Sequence, residues 1–287
     1  MKRTFILGEK WLFYKIYCGR QSADKVLLDI IAPFTKECLS NQLITEWFFI
    51  RYCDPEPHLR LRFKLNKKSD LGKLVIIFLK WVSPLYKKGI IWNICTDTYV
   101  RELERYGTKT MKASERLFCN NSELGVELLR NIKDEKLYFL TVLKCTNSFL
   151  SQFQLTETEK IEFYTLIASA FASEFDIQKL TRLSIDKKYR SVRNQFEEIM
   201  NNEKFKNLYP AIDKIIFENT ILNKEAIKYI KAKKEHNILD VDFLDFLSSH
   251  VHMFFNRAFR DKQRFHEMLG YEFLRRHSLS LKKRIVI

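Results

Sequence analysis

At 287 residues, 46% apolar and 14% aromatic, the chain can build a substantial core, and seven glycines and five prolines are too few for a linker-rich or low-complexity protein. Fifty Lys and Arg against 35 Asp and Glu give a formal charge of +15, which favours encounter with anionic partners, yet no zinc-finger spacing, RNP-type aromatic motif or basic region leading into heptads is present, so no direct DNA binding is expected. The apolar runs fall short of the ~20 residues that span a bilayer, the basic and apolar start is broken at Gly8-Glu9-Lys10, and six cysteines without a C-x-x-C pair suit reduced thiols, so a cytoplasmic protein is expected.

Residues 11–18, Trp-Leu-Phe-Tyr-Lys-Ile-Tyr-Cys, favour a strand, and Val26, Leu27, Ile30, Ile31 and Phe34 follow at helical spacing within 23–39. Pro33 is expected to kink that helix or end it early. Trp47 to Cys53 reads as a strand, Asp54-Pro55-Glu56-Pro57 as a turn, and His58 to Leu65 as the second strand of a hairpin. A helix over 70–85 and a strand over 90–96 complete a β-α-β-β-α-β order, the ferredoxin-like plan. After Gly107 helical periodicity runs almost unbroken, with helices expected near 112–130, 135–152, 157–175, 187–202, 211–233, 240–259 and 262–277. Asp134 opens one of them, and Thr156 with Glu159 opens another as a capping box. The expected fold is α+β: a ferredoxin-like portion over 1–110 packed on a mainly helical portion over 111–287, the two forming one compact unit because so few residues are free to serve as linkers.

Three segments could carry chemistry. In the strand from His58 to Phe63 the period of two puts His58, Arg60 and Arg62 on one face and Leu59, Leu61 and Phe63 on the other. Two arginines ~6.6 Å apart along the strand suit one ligand with two carboxylates, or a single anion; an ordinary wet sheet face with paired arginines gives the same pattern. In Tyr99-Val100-Arg101-Glu102-Leu103-Glu104-Arg105, Arg101 and Arg105 share a face at either period, while Glu102 and Glu104 offer local ion pairs instead. His250 and His252 are two apart on a helix, hence on opposite sides, and no H-E-x-x-H or acidic cluster completes a metal site. Asn256, four residues on, or a neighbouring backbone group could orient His252 as an acid or base; a satisfied core or surface histidine is the bland alternative. No G-x-S-x-G, P-loop or G-x-G-x-x-G is present.

Together these segments resemble the C-terminal glutamate-elimination domain of the class I lantibiotic dehydratases, also found as freestanding thiopeptide-type bacteriocin biosynthesis proteins. The resemblance runs nearly end to end. It rests on Trp11-x-x-Tyr14-x-x-Tyr17, on Trp47-Phe48-Phe49-Ile50-Arg51-Tyr52-x-Asp54-Pro55 leading into His58-Leu59-Arg60-Leu61-Arg62-Phe63, on Tyr99-x-Arg101-Glu102-x-Glu104-Arg105-Tyr106-Gly107, on Met111-x-x-x-Glu115-x-x-Phe118, and on His252-Met253-x-x-Asn256-Arg257. It implies a lyase that expels glutamate from glutamylated Ser or Thr of a precursor peptide, leaving dehydroalanine or dehydrobutyrine, without metal or other cofactor. It also implies His252 and Arg101 as catalytic groups and Arg60, Arg62 and Arg105 as glutamate-binding groups. The ester-linked glutamate keeps a carboxylate and becomes a second on leaving, so arginines could stabilise the developing charge. His252 is the group that would remove the peptide α-proton or assist departure; the resemblance does not say which.

Thr108 stands where the family often has a second glycine, and Asn121 where it has an acidic residue, so details of the substrate channel do not transfer. The chain has no room for the large glutamylation domain, which implies a separate glutamyl-tRNA-dependent glutamylation protein as partner, alongside a cyclase or transporter of the pathway. Two other readings stay open: a relative that closes pyridine rings by formal cycloaddition of two dehydroalanines, and a non-catalytic peptide-binding module.

Overall fold

The four-stranded sheet has one apolar face, which the alternation of Leu59, Leu61 and Phe63 with His58, Arg60 and Arg62 marks most plainly, and one mixed face. The computed structural model describes residues 1–285. A short strand β1 (Thr4–Phe5) precedes β2 (Trp11–Cys18), after which α1 (Arg20–Val26), a π-helical turn (Leu27–Ile31) and α2 (Ala32–Ser40) follow without a break. The hairpin β3 (Ile44–Cys53) and β4 (Pro57–Leu65), then α3 (Leu71–Lys87) and β5 (Ile91–Thr96), complete the sheet in the order β3-β4-β2-β5. Each neighbouring pair is antiparallel, the ferredoxin-like arrangement expected from the element order. A second small sheet pairs β1 with β6 (Tyr99–Val100).

Pro33 does not end its helix. The helical path continues to Ser40, with the proline in the first turn of α2 immediately after the π-helical turn. A proline lacks the N–H that an α-helical ladder needs, and its ring crowds the preceding turn; a local π-bulge accommodates both. Leu12, Tyr14, Ile16, Leu59, Leu61 and Phe63 pack from the sheet against Val26, Leu27, Phe34, Leu74 and Phe78 of the helices on that face.

The remainder is helical: α4 (Leu103–Tyr106), α5 (Met111–Asn131), α6 (Glu135–Gln152), α7 (Glu157–Glu174), α8 (Lys179–Met200), α9 (Asn202–Leu208), α10 (Pro210–Glu235), α11 (Phe243–Ala258) and α12 (Gln263–Ile285). Asp134 caps α6 through Leu137 N, and the Thr156–Glu159 capping box opens α7, both as expected. Helix α8 begins at Lys179, well before the expected residue 187, and the apolar Leu180 and Leu183 of its first turns stay exposed rather than packing. One buried polar row joins α5 to α10: the Asn120 amide donates to Asn223, Asn223 to Asn219, and Asn219 to the Asn120 carbonyl. On the mixed face of the sheet, Trp11, Phe13 and Phe48 join the larger helical core, with Phe48 against Phe118 of α5.

Candidate functional site

The two histidines of α11 point to opposite sides, as their spacing requires. His250 is buried among Tyr106, Phe118, Phe149 and Phe246, its Nε2 3.2 Å from Ser114 Oγ. Burial, with a smaller contribution from the Arg257 charge, lowers its pKa to about 3, so it is a neutral core residue. His252 faces a cleft of about 290 Å³ that it shares with Arg20, Arg51, Tyr52, His58, Asn256 and Arg264.

Behind His252 stands Glu267, whose carboxylate is 2.7 Å from Nδ1 and almost fully buried. The expectation that Asn256 orients the imidazole is corrected here, because both ends of that amide are used elsewhere. Its oxygen accepts from Arg51 N at 2.9 Å and its nitrogen donates to Arg51 O at 2.8 Å, so the side chain pairs with the edge strand β3 as another strand would. Glu267 reaches His252 from α12 because that helix packs closely on α11. At Gly270, one turn along, a Cβ would lie 2.8 Å from Phe255 Cζ and Leu143 Cδ2.

The cleft is cationic. Arg51 is buried, donates from Nε to the Arg257 carbonyl at 2.9 Å, and pairs with Asp24 at 2.6 Å. The same Asp24 carboxylate lies 3.7 Å from Arg260, which also lines the cleft. Arg20 pairs with Asp261 at 2.8 Å, and Arg264 pairs with Glu174 and lies 3.4 Å from Glu267. Acids are thus shared among several guanidiniums, and the buried Nη1 of Arg51 has no partner.

The arginine strand borders this cleft through Pro57, His58 and Leu59, but its two arginine side chains diverge. Register places Arg60 between Lys15 and Ile50, and Arg62 between Phe13 and Phe48. Arg60 lays its guanidinium over Tyr52, 3.4 Å from the ring centre, and its Nε donates to His58 Nε2 at 3.2 Å. With His58 Nδ1 2.8 Å from the Glu56 carbonyl, the imidazole is held as the Nδ1–H tautomer, and burial lowers its pKa. Arg62 is nearly buried within the rings of Phe13, Phe48 and Tyr99.

Arg101 and Arg105 do not share a face. Strand β6 ends at Val100 and α4 starts at Leu103, so neither a strand nor a helix period runs through both residues. Arg101 is buried, with Nε and Nη2 each donating at 2.6 Å to Glu115, and Nη1 donating to the Lys2 carbonyl at 2.9 Å. Tyr99 Oη donates to the same Glu115 carboxylate at 3.0 Å. Arg105 is exposed and pairs with Glu102 at 3.1 Å. The structure therefore gathers His252 and Arg51 at one cleft, stacks Arg60 on Tyr52 of its lining, and places Arg62, Arg101 and Arg105 outside that lining. Glu267, Arg20, Arg260 and Arg264 were not singled out by the sequence; no local spacing signals them, because their grouping depends on how α1, α11 and α12 come together.

The sequence profile of the family described as lantibiotic biosynthesis dehydratase C-term matches residues 11–279. The subtilin biosynthesis protein SpaB of Bacillus subtilis is 31% identical over 94% of the chain, and the nisin biosynthesis protein NisB of Lactococcus lactis subsp. lactis is 28% identical over 92%. Those matches occupy 25% of each relative, so the chain spans about a quarter of their length. The crystal structure of the tRNA-dependent lantibiotic dehydratase MibB from Microbispora sp. 107891 superposes with a TM-score of 0.72 at 19% identity, over 98% of this chain and 29% of that one. The pyridine synthase TbtD from thiomuracin biosynthesis superposes with a TM-score of 0.62 at 12% identity, over 95% of this chain and 99% of that one. At these identities both structures speak to the fold alone.

Proposed function

Because the chain belongs to the lantibiotic biosynthesis dehydratase C-terminal family, we propose that it expels glutamate from glutamylated Ser and Thr residues of a ribosomal precursor peptide, leaving dehydroalanine or dehydrobutyrine. The observation that carries this reading is the His252–Glu267 pair opening on a cleft lined by arginines. A buried carboxylate against Nδ1 favours the tautomer with its proton there, which leaves the Nε2 lone pair to act as a base. Nε2 takes the Cα proton of the esterified residue, the electron pair of that C–H bond becomes the second bond of Cα=Cβ, and the Cβ–O bond breaks. Glutamate leaves with the electrons of that bond on its carboxylate, where Arg51, Arg260 and Arg264 offer compensating charge already in place.

Arg60 borders the cleft through Tyr52 and contributes to the same field, with Tyr52 and His58 fixing its direction. Arg101 works in this reading as a positioning residue, holding Glu115 and through it Tyr99, one wall of the Arg62 cage. Arg105 keeps Glu102 neutralised at the surface. The portions 1–110 and 111–287 act as one unit, since the first supplies Arg51 and Tyr52 and the second His252 and Asn256. The ester is supplied by a glutamyl-tRNA-dependent activity, and a cyclase or transporter handles the dehydrated peptide.

The test supplies a pre-glutamylated peptide without tRNA and follows it by mass spectrometry. The expected product has lost glutamate and carries a dehydro residue. An ester that persists while the folded protein binds the peptide refutes the proposal.

A further inference from the structure

The sheet order β3-β4-β2-β5 leaves two edges, and the register tells which backbone groups each edge turns outward. Residues directly opposite in an antiparallel ladder exchange both hydrogen bonds or none, in alternation. Asn66 N donates to Leu43 O and Leu65 N to Lys10 O, so β4 bonds β3 through its even-numbered residues and β2 through its odd-numbered ones. Strand β3 therefore turns Phe49 and Arg51 outward, and both are met: Ser122 Oγ accepts the Phe49 N–H, and Asn256 takes both groups of Arg51. By the same rule β2 bonds β5 through its odd-numbered residues, in keeping with the Asp97 N–H donating to Phe13 O at 3.0 Å, and pairs Lys15 with Cys95 and Tyr17 with Asn93. The N–H and C=O of Ile94 and of Thr96 are left pointing away from the sheet. Among the described residues no hydrogen bond reaches them.

Sheet edges are ordinarily guarded by lysine, proline or a covering element. Strand β5 reads Ile-Trp-Asn-Ile-Cys-Thr, with no charge and no proline, and its one irregularity, opposite Tyr17 and Cys18, lies before the two open residues. Open donors and acceptors in alternation are complementary to another extended backbone. Two copies of this chain, each at a formal +15, repel one another, so a second copy is disfavoured there. A peptide substrate carries no such penalty.

The open edge and the His252 cleft share one end of the sheet. Cys18, which lines the cleft, stands opposite Ile91, and Trp92 Nε1 donates at 3.1 Å to Glu56, next to Pro57 and His58 of the cleft wall. Between edge and cleft, Tyr52, His58 and Tyr17 lie opposite one another across β3, β4 and β2, with successive ring centres 5.6 and 4.8 Å apart. A strand added beside β5 would lie four spacings from β3, ~19 Å, which an extended chain covers in about six residues.

We infer that the β5 edge is a peptide-binding site, where a segment of the precursor peptide about six residues from the Ser or Thr in the cleft adds as a fifth strand against Ile94 and Thr96. The identity of that peptide rests on the elimination reading above. Main-chain pairing holds the substrate with little regard to its side chains.

The probe is a synthetic peptide with one glutamylated serine in flanks of alternating threonine and alanine. A second version has consecutive N–H groups methylated about six residues to either side of that serine. Binding to the full chain is read by fluorescence anisotropy for wild type and Thr96→Pro. Thr96 is exposed and its N–H faces outward, so the proline removes an edge donor and leaves the ladder to β2 intact. Methylation is expected to weaken wild-type binding about tenfold, the loss of one or two main-chain hydrogen bonds. Thr96→Pro should bind the parent peptide about tenfold more weakly and the methylated one no more weakly still. A wild-type chain that binds neither peptide or both alike, or a folded Thr96→Pro with wild-type affinity, overturns the edge site. Should Thr96→Pro unfold in a thermal scan, the methylated peptide on wild type decides alone. A wild-type dimer in sedimentation that Thr96→Pro turns into a monomer gives the edge to a second copy and overturns the proposal. Glutamate loss at subsaturating peptide is scored separately by mass spectrometry. Edge-dependent binding without elimination sinks the lyase reading and leaves the site standing, whereas elimination indifferent to methylation does the reverse.

Discussion

Lowering the pH from 7 to 5 should destabilise this protein through His250 in particular. In the unfolded chain a histidine titrates near 6.5, while burial in the aromatic cluster holds His250 at about 3. The folded pKa is the depressed one, so the unfolded state binds the proton first and stability falls as the pH drops below about 6.5, levelling off only near 3. At pH 5 the unfolded residue is almost fully protonated and the folded one almost fully neutral, which corresponds to about 2 kcal/mol of stability lost relative to pH 7. The assay is urea unfolding at both pH values for wild type and His250→Phe. Packing changes at Ser114 alter the variant's stability equally at both pH values, and the other titrating groups cancel in the difference. The variant should lose about 2 kcal/mol less than wild type between pH 7 and 5. Equal losses would refute a buried, neutral His250.

Glu267→Gln keeps the shape of the dyad but removes the charge behind the imidazole; elimination should slow about tenfold to a hundredfold while peptide binding is retained, and an unchanged rate would detach Glu267 from the chemistry. Arg101→Met breaks a buried ion pair and strands Glu115, which should cost about 3–5 kcal/mol in denaturant unfolding. A variant as stable as wild type but inactive would move Arg101 from holding Glu115 to touching the substrate.

The sequence carried the sheet well because β4 alternates strictly: Leu59, Leu61 and Phe63 are buried on one face, and the hairpin turn sits where proline and aspartate cluster. That same alternation correctly put Arg60 and Arg62 on one face. Their divergence was not legible, since it depends on cross-strand neighbours, Tyr52 and His58 for one and Phe13 with Phe48 for the other. For Arg101 and Arg105 the spacing rule failed for a local reason: a two-residue strand changes into a one-turn helix between them, so no single period applies. The opposite orientation of His250 and His252 follows from helix geometry alone. Glu267, fifteen residues from His252, needs the docking of two helices, and that is a property of packing rather than of any motif.

The Asn256 clamp bears on how a peptide can approach. Sheet proteins often recruit extended peptides by strand addition at an exposed edge. On β3 that edge is occupied: Ser122 Oγ accepts the Phe49 N–H, and Asn256 takes both backbone groups of Arg51. If the proposed elimination holds, a precursor peptide does not add as a strand at Phe49 and Arg51 but reaches His252 across the open side of the cleft. On that reading the peptide backbone goes unread along β3, and Ser and Thr residues with differing neighbours would be offered to the same histidine.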